Sequence, residues 1–309
     1  MKKDFLSIRD LTIYEFGLLL DRTTEMKKHP RRFRRALEHK ILAMIFQKPS
    51  LRTRMTFEAG MLQLGGEAIY LAPSDIQMGS REGAYDIGKN LERWVDGIML
   101  RTFGHGIAVA LAESAKIPVI NALTDLSHPC QGMADFFTLR EHKGSLANLK
   151  LAYLGDGNNV CHSLMLAAAR GGTKMAVGTP AGYEPDPAMV KAAREDGRDT
   201  GFELTITNDA EQAVSGADAV YTDVWASMGQ EAEKEKRALI FAPYQVNARL
   251  MALAKKDAVF MHCLPAHRGE EVTDEVIDSP NSIVYDQAEN RLHVQKVILA
   301  LLMGKKDKT

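Results

Sequence analysis

The alternation of two apolar rhythms constrains this chain more than any other feature. ILAMIF (41–46), EAIYLA (67–72), GIMLRT (97–102) and PVINAL (118–123) read as buried strands. Between them, MTFEAGMLQLGG, DIGKNLERWV and GIAVALAESAKI space their apolar residues near the helical period. The Gly65–Gly66 pair reads as a helix stop. ADFFTLREHKG then reads as a longer helix over 134–143, and the rhythm restarts. KLAYLG (150–155), KMAVGT (174–179), FELTIT (202–207), DAVYTDV (218–224), AVFMHCL (258–264) and SIVYDQ (282–287) read as strands. NNVCHSLMLAAARGG, PAMVKAAREDG, DAEQAVSG and NARLMALAKK fill the gaps as helices. Such alternation implies parallel sheets covered on both faces. A length of 309 residues suits two such units rather than one. The predicted class is therefore α/β: two domains, each a mostly parallel sheet flanked by helices on both faces. The helix at 134–143 with its following loop is the natural joint. The last stretch, ENRLHVQKVILALLMG, is apolar on one side and needs a partner surface, for which the first unit is the candidate.

Composition removes several function classes. The formal net charge of −1 creates no global field for nucleic acid or an anionic membrane, so any anion site must be local. No apolar run approaches the ~18 residues of a membrane span. The start, MKKDFLSIRDLTIYEF, has no long apolar core for a signal peptide, and Asp4, Asp10 and Glu15 argue against a transit peptide. The three cysteines, Cys130, Cys161 and Cys263, are odd in number and far apart, which suggests free thiols in a cytoplasmic, reducing compartment.

Ligands of open parallel sheets bind beyond the carboxyl ends of the strands. Here those ends carry KPSLRTR, PSDIQMG, Arg101–Thr102, TDLSHPCQ, DGNN, Asp223 with WASMG, and HCLPAHRG. Chemistry-capable residues gather at these positions, whereas a solvated surface would scatter them. FQKPSLRTRMTFEAG is the sharpest case. A helix N-terminus offers unpaired N–H groups and a positive dipole end to an anion. Ser50 and Thr53 add hydroxyls, and Arg52 adds a planar fork suited to phosphate oxygens. The same spacing also fits a plain helix cap with solvated arginines. G-x-x-x-x-G-K-[ST] is absent, so this is no P-loop. GDGNN (155–159) has Val160 where a dinucleotide turn needs glycine, so tight-turn geometry is favoured over a nicotinamide site. His262, Cys263 and His267 lack a second pair at metal-finger spacing, so no metal is expected. The methionines read as packing.

PSLRTR, HPCQ, GDGNN, DVWASMG, HCLPAHRGEEV and the late ENR, taken together and in this order, resemble the ornithine carbamoyltransferases over nearly the whole chain. PSLRTR and HPCQ are similar to motifs shared with aspartate carbamoyltransferases, while SMG and HCLP favour ornithine. The resemblance implies transfer of a carbamoyl group from carbamoyl phosphate to the side-chain amine of L-ornithine, giving citrulline and phosphate. The flux serves arginine biosynthesis or runs in the reverse, catabolic direction. It implies no cofactor, no nucleic acid and no membrane, and a homotrimer or a multiple of trimers with shared sites. Residues 1–145 would bind carbamoyl phosphate, joined by the C-terminal helix at about 289–303, and residues 146–288 would bind ornithine.

The same resemblance assigns residues. Ser50, Leu51 (through its backbone), Arg52, Thr53 and Arg101 would hold phosphate. His128 and Gln131 would hold the carbamoyl end, and Gln77 would reach a neighbouring subunit's site. Asn159, Asp223, Ser227 and Met228 would bind the α-amino and α-carboxylate groups of ornithine. Cys263 and Leu264 would lie near the side-chain amine, and Arg291 near the carbamoyl oxygen. Arg52, Arg101, His128, Cys263 and Arg291 form the implied catalytic set. Many members carry Thr where Leu51 stands, so a backbone contact remains and a hydroxyl is lost. Transferases for N-acylated ornithine or putrescine are expected to lack SMG. Chemically, an alkyl ammonium titrating near ~10.4 must lose a proton before it attacks a carbonyl, and a dry site favours that. Preorganised charge can then supply catalysis without a covalent intermediate, so Cys263 reads as positional rather than nucleophilic.

Overall fold

The computed structural model describes residues 2–79, 81–226 and 231–304. The chain divides into two compact units, Met1–Phe137 with Glu289–Thr309, and Thr138–Ala288.

The first unit opens with α1 (Ile13–Lys28), capped by Thr12 and Glu15, which satisfy each other's backbone donors. Then come β1 (Ile41–Phe46), α2 (Leu51–Gln63), β2 (Glu67–Leu71), the short α3 (Pro73–Ile76), α4 (Ala84–Leu91), β3 (Gly97–Arg101), α5 (His105–Ser114), β4 (Val119–Leu123) and the start of α6 (Pro129–Lys143). The strands form one parallel sheet in the order β2-β1-β3-β4. One face of it buries Ile45, Ile98, Leu100 and Val119 with Ile87, Leu91 and Leu111 of α4 and α5.

In the second unit the end of α6 leads to β5 (Lys150–Leu154), α7 (Asn159–Gly171), β6 (Lys174–Gly178), α8 (Pro187–Asp196), β7 (Leu204–Thr207), α9 (Ala210–Val214) and β8 (Ala219–Thr222). After these follow α10 (Lys234–Phe241), α11 (Ala248–Met251), β9 (Val259–His262), α12 (Asp274–Ile277) and the start of α13 (Val284–Met303). This sheet is also all parallel, in the order β7-β6-β5-β8-β9. Every residue of α7 from Val160 to Ala169 is buried, so this helix is core rather than amphipathic cover.

Both sheets match the class expected from the apolar rhythm, and their strands fall within one or two residues of the expected runs. SIVYDQ is the exception. Only Ser282 bridges Phe260, and the helix α13 begins at Val284. The run was too short to show its period. Val284, Gln287, Asn290, Arg291 and Val294 are buried at steps of three, three, one and three, which is helical spacing.

The expected return of the last helix to the first unit is present. A Cβ on Gly60 of α2 would lie 3.3 Å from Lys296 Cγ and 3.8 Å from Leu292 and Leu299, so the glycine lets α13 approach closely. Lys27 of α1 also donates to Asn290 at 2.8 Å.

Strand order sets where ligands can bind. In each sheet it reverses once, between β1 and β3 in the first and between β5 and β8 in the second. The crevice at such a reversal, beyond the carboxyl ends of the strands, is the natural binding position.

Candidate active site

At the first reversal Phe46 pairs with Arg101, and Arg101 with Leu123, so three strands end side by side. Gln47 N–H donates to Arg101 O at 2.8 Å and Thr102 N–H to Leu123 O at 3.0 Å, extending that alignment. Past β1 the chain enters α2. Ser50 is its N-cap, accepting from Thr53 N–H at 3.3 Å, which puts Leu51 at the first helical position and Arg52 at the second. The N-terminal donors of α2 therefore face the reversal. The basic residues of this stretch separate by role. Arg54 stacks 3.9 Å from the Tyr70 ring centre and pairs with Glu58 at 3.3 Å, while Lys48 lies 4.2 Å from the Phe103 ring centre. Arg52 is half-buried. Gln77 is exposed, with φ +49°, and borders a pocket of about 270 Å³ with Phe46, Gln47, Met78 and Phe103.

His128 ends the loop after β4. Thr124 N–H donates to Ser127 O at 2.9 Å, and Asn121 Nδ2 reaches the same carbonyl at 3.3 Å, so the loop is braced from inside. The His128 carbonyl accepts from Gln131 and Gly132 at the start of α6. Its ring is buried beside Arg291 and Arg101. Burial first, then those two guanidinium groups, hold its pKa well below the usual histidine value, so the ring is neutral at neutral pH.

Arg291 arrives from α13 and is 3% exposed. Its Nη1 donates to Gln131 Oε1, and its Nη2 to Thr53 Oγ1 at 3.3 Å. Gln131 Nε2 in turn donates to the buried Asp135 at 2.7 Å. With its amide oriented to satisfy both ends, Gln295 accepts from Arg291 at 3.0 and 3.1 Å and donates to Thr56. Thr53, Gln131, Arg291, His128 and Arg101 thus form one buried, positively charged group at the carboxyl end of the sheet.

The second reversal is built differently. Leu154 pairs with Thr222, and Thr222 with His262, so β5, β8 and β9 end together. Gly155 turns the chain at φ +139°, and a Cβ on Gly157 would lie 2.2 Å from Pro185 N. GDGNN is therefore a tight turn with a close backbone approach, as its spacing suggested. Asn158 caps α7, accepting from Val160 and Cys161 N–H at 2.9 and 3.1 Å. Its Nδ2 donates to Asp223 Oδ2 at 2.8 Å. The other oxygen of Asp223 accepts from the Cys263 thiol at 3.0 Å and from Val224 N–H at 2.8 Å. Asn159 is half-buried one residue further on, and its carbonyl accepts from Ser163. Leu264 follows Cys263 at φ +57°. Ser227 and Met228 lie outside the described residues.

Asp223, His262 and Cys263 bring possible metal-ligand atoms close together. However, His262 Nδ1 accepts from Leu264 N–H at 2.8 Å and its Nε2 meets the buried Glu271 at 3.2 Å. A ring with both nitrogens so engaged has no lone pair to give an ion. None of the three cysteines is in a disulfide; burial pushes the Cys130 thiol up to about 12 and raises the Cys161 thiol well above its ordinary value, so these two are inert packing.

Reading the sequence alone missed Asn158, Asp135 and Gln295. Asn158 carried a usable signal, since Asn just before a helical run is an N-cap. Asp135 and Gln295 carried none, because a polar residue on a helix ordinarily faces solvent.

Comparison with known proteins fits this geometry. Residues 3–141 match the aspartate/ornithine carbamoyltransferase carbamoyl-P binding domain, and residues 147–302 match the Asp/Orn binding domain of the same family. The chain belongs to the aspartate/ornithine carbamoyltransferase family. Within it, the chain is 54% identical to an ornithine carbamoyltransferase of Thermococcus kodakarensis, over 98% of this chain and 96% of that one. It is 52% identical, at the same coverage, to an anabolic ornithine carbamoyltransferase of Pyrococcus furiosus. The solved ornithine carbamoyltransferase from Pyrococcus furiosus superposes with a TM-score of 0.95, covering 98% of each chain at 52% identity. The ornithine transcarbamoylase structure from Giardia lamblia, at 34% identity, reaches 0.91 over 99% of this chain and 100% of that one.

Proposed function

We infer that the chain is an ornithine carbamoyltransferase, moving the carbamoyl group of carbamoyl phosphate to the side-chain amine of L-ornithine and releasing citrulline and phosphate. The observation that carries this reading is the opposite charge of the two strand-order reversals. The first gathers Arg52, Arg101, Arg291 and a helix N-terminus, a match for a phosphate dianion. The second gathers an Asp223 carboxylate held by neutral donors, a match for an ammonium group. The identity of 52–54% over nearly full length to ornithine carbamoyltransferases directs that charge pattern to ornithine.

On this reading residues 1–145 with 289–303 form the carbamoyl-phosphate domain and 146–288 the ornithine domain. Ser50, the backbone of Leu51, Arg52, Thr53 and Arg101 take the phosphate, Gln131 the carbamoyl amino group, and Arg291 the carbamoyl oxygen. His128, being neutral, acts as a hydrogen-bond donor to that oxygen and not as a cation. The neutral amine of ornithine attacks the carbonyl carbon, and negative charge grows on the carbonyl oxygen. The bond to the phosphate oxygen then breaks, phosphate leaves with the electron pair, and it takes up the proton that the amine nitrogen sheds. Preorganised donors stabilise both developing charges. The Cys263 thiol donates a hydrogen bond to Asp223, which favours a positional role beside the amine, with Leu264, over nucleophilic attack. Asn159, Asp223, Ser227 and Met228 read the α-amino acid end.

The enzyme works in the cytoplasm as a homotrimer or a multiple of trimers, Gln77 reaching a neighbour's site, and its product feeds arginine biosynthesis. Among the described residues no helix is long and apolar enough to cross a membrane. Citrulline assays with carbamoyl phosphate and, in parallel, ornithine, N-acetylornithine, putrescine and aspartate test the reading. Turnover with ornithine alone is the expected result; preference for another amine overturns it.

A further inference from the structure

The ornithine reading of Asp223 leaves open what aims that carboxylate. We propose that Asn158 is a positioning residue for ornithine, holding Asp223 in the orientation that meets the substrate ammonium; this rests on the function inferred above. The argument begins with the amide itself. An Asn side chain has one oxygen that accepts and one nitrogen that donates, and which faces which way follows from its partners. Here Oδ1 is fixed by two backbone donors, Val160 and Cys161 N–H, at the start of α7. Nδ2 must then point the other way, and it meets Asp223 Oδ2 at 2.8 Å. The amide cannot flip without losing both cap bonds and placing its oxygen against a carboxylate.

Asp223 follows β8 directly, where the chain has left the sheet. It is 6% exposed, so it cannot rely on water to set its rotamer. Its Oδ1 is held by Val224 N–H and the Cys263 thiol, and Asn158 fixes Oδ2. The Asn158 donor is neutral, so it orients the carboxylate without cancelling its charge, which stays available to an ammonium. By contrast, the nearby Asp156 is closed by Arg237 at 2.8 Å and is a structural ion pair. One side chain therefore ties the first turn of α7 to the acid after β8 across the second strand-order reversal.

The two duties of Asn158 can be separated by substitution. Serine is as good an N-cap as asparagine but is too short to reach Asp223. Asn158→Ser should keep the melting temperature and the KM for carbamoyl phosphate, while the KM for ornithine rises about tenfold or more, the scale of a lost hydrogen bond to a charged group. Asn158→Asp keeps the cap oxygen but sets a second carboxylate against Asp223, so ornithine use should fall further than in the serine variant. Asn158→Gly removes both the cap oxygen and the reach to Asp223, so any loss of melting temperature beyond that of the serine variant reads the cap. Wild-type assays with ornithine run alongside: absence of citrulline there defeats the assignment of function, not the role of Asn158. If the wild type is active and Asn158→Ser leaves both KM values unchanged, or raises both equally, Asn158 is only a cap and the proposal is wrong.

Discussion

The two strand-order reversals solve opposite electrostatic problems in the same way. The first buries positive charge: Arg101 is 8% and Arg291 3% exposed. The second buries negative charge, with Asp223 at 6%. A buried charge with nothing to hold it is costly, and a buried charge fully paired has little left to offer a ligand. Both reversals avoid these extremes by using neutral groups. Arg291 is held by Gln131, Thr53 and Gln295, and Asp135 stands one amide further away. Asp223 is held by Asn158, a thiol and a backbone N–H. Arg237 and Asp156 show the alternative, a closed pair that also fastens Trp225 O and Glu233 and leaves no charge for a substrate. The comparison teaches that a ligand charge is anticipated by dipoles around its future partner, not by a counter-ion already in place.

The largest test of the positive side is Arg52→Lys. Charge is conserved, but an ammonium cannot reproduce a two-pronged guanidinium contact with phosphate oxygens. Turnover should fall by roughly 10²-fold or more, the scale of one lost transition-state donor. Steady-state citrulline formation measures this, and near-normal rates would take Arg52 out of the site.

Asp223→Asn tests the negative side. The shape is kept while the charge that faces the ammonium is removed, so the KM for ornithine should rise roughly 10- to 100-fold, the range of a charge-assisted hydrogen bond. Calorimetry should find carbamoyl phosphate binding unchanged. Equal weakening of both ligands would mean that the two reversals are not independent, and the contrast between them would fail.

A smaller effect sharpens the account of His128. Its pKa in the folded protein lies below the ordinary value of about 6.5. Above that pH both folded and unfolded chains carry a neutral ring. As pH falls below about 6.5, the unfolded chain takes up a proton that the folded chain refuses, so stability declines. His105 and His293 are also held low, mainly by burial, and add loss of the same sign. Urea midpoints at pH 7.5 and 5.5, compared between wild type and His128→Gln, isolate the share of His128. The variant should lose less stability on acidification than the wild type. An identical loss would show that the ring is protonated in the fold, as a cationic role requires.

Much of this was readable from the sequence, for a definite reason. Strand ends concentrate chemistry, so Ser50, Arg52, Arg101, His128, Asp223 and Cys263 stood out once the runs before them were recognised as strands. What could not be read depended on phase and distance. Arg52 and Arg54 are alike in type, yet Arg54 turns to Tyr70 and Glu58. Asn158 and Asn159 are identical neighbours, and only the first turn of α7 decides which one meets Asp223. SIVYDQ looked like a strand because six residues cannot separate a period of two from one near 3.6 when both faces are apolar or small.

The smallest expected effect concerns Leu51, where the family resemblance implies threonine. Leu51 is the first residue of α2 and 75% exposed, so its side chain contributes little packing. Its backbone N–H is among those at a helix start that have no partner within the helix, and this is what the anion would use. Threonine keeps that N–H and adds a hydroxyl where the solvent already satisfies polar groups. Leu51→Thr should therefore change stability by no more than about 0.5 kcal/mol. Turnover should shift by less than about threefold, because the contact that matters on the positive side is made by the main chain. Thermal melts and citrulline rates in parallel give both numbers. A tenfold gain in activity would mean that a side-chain hydroxyl at this position is part of the phosphate cradle, and that the leucine holds this enzyme below the rate its other residues allow.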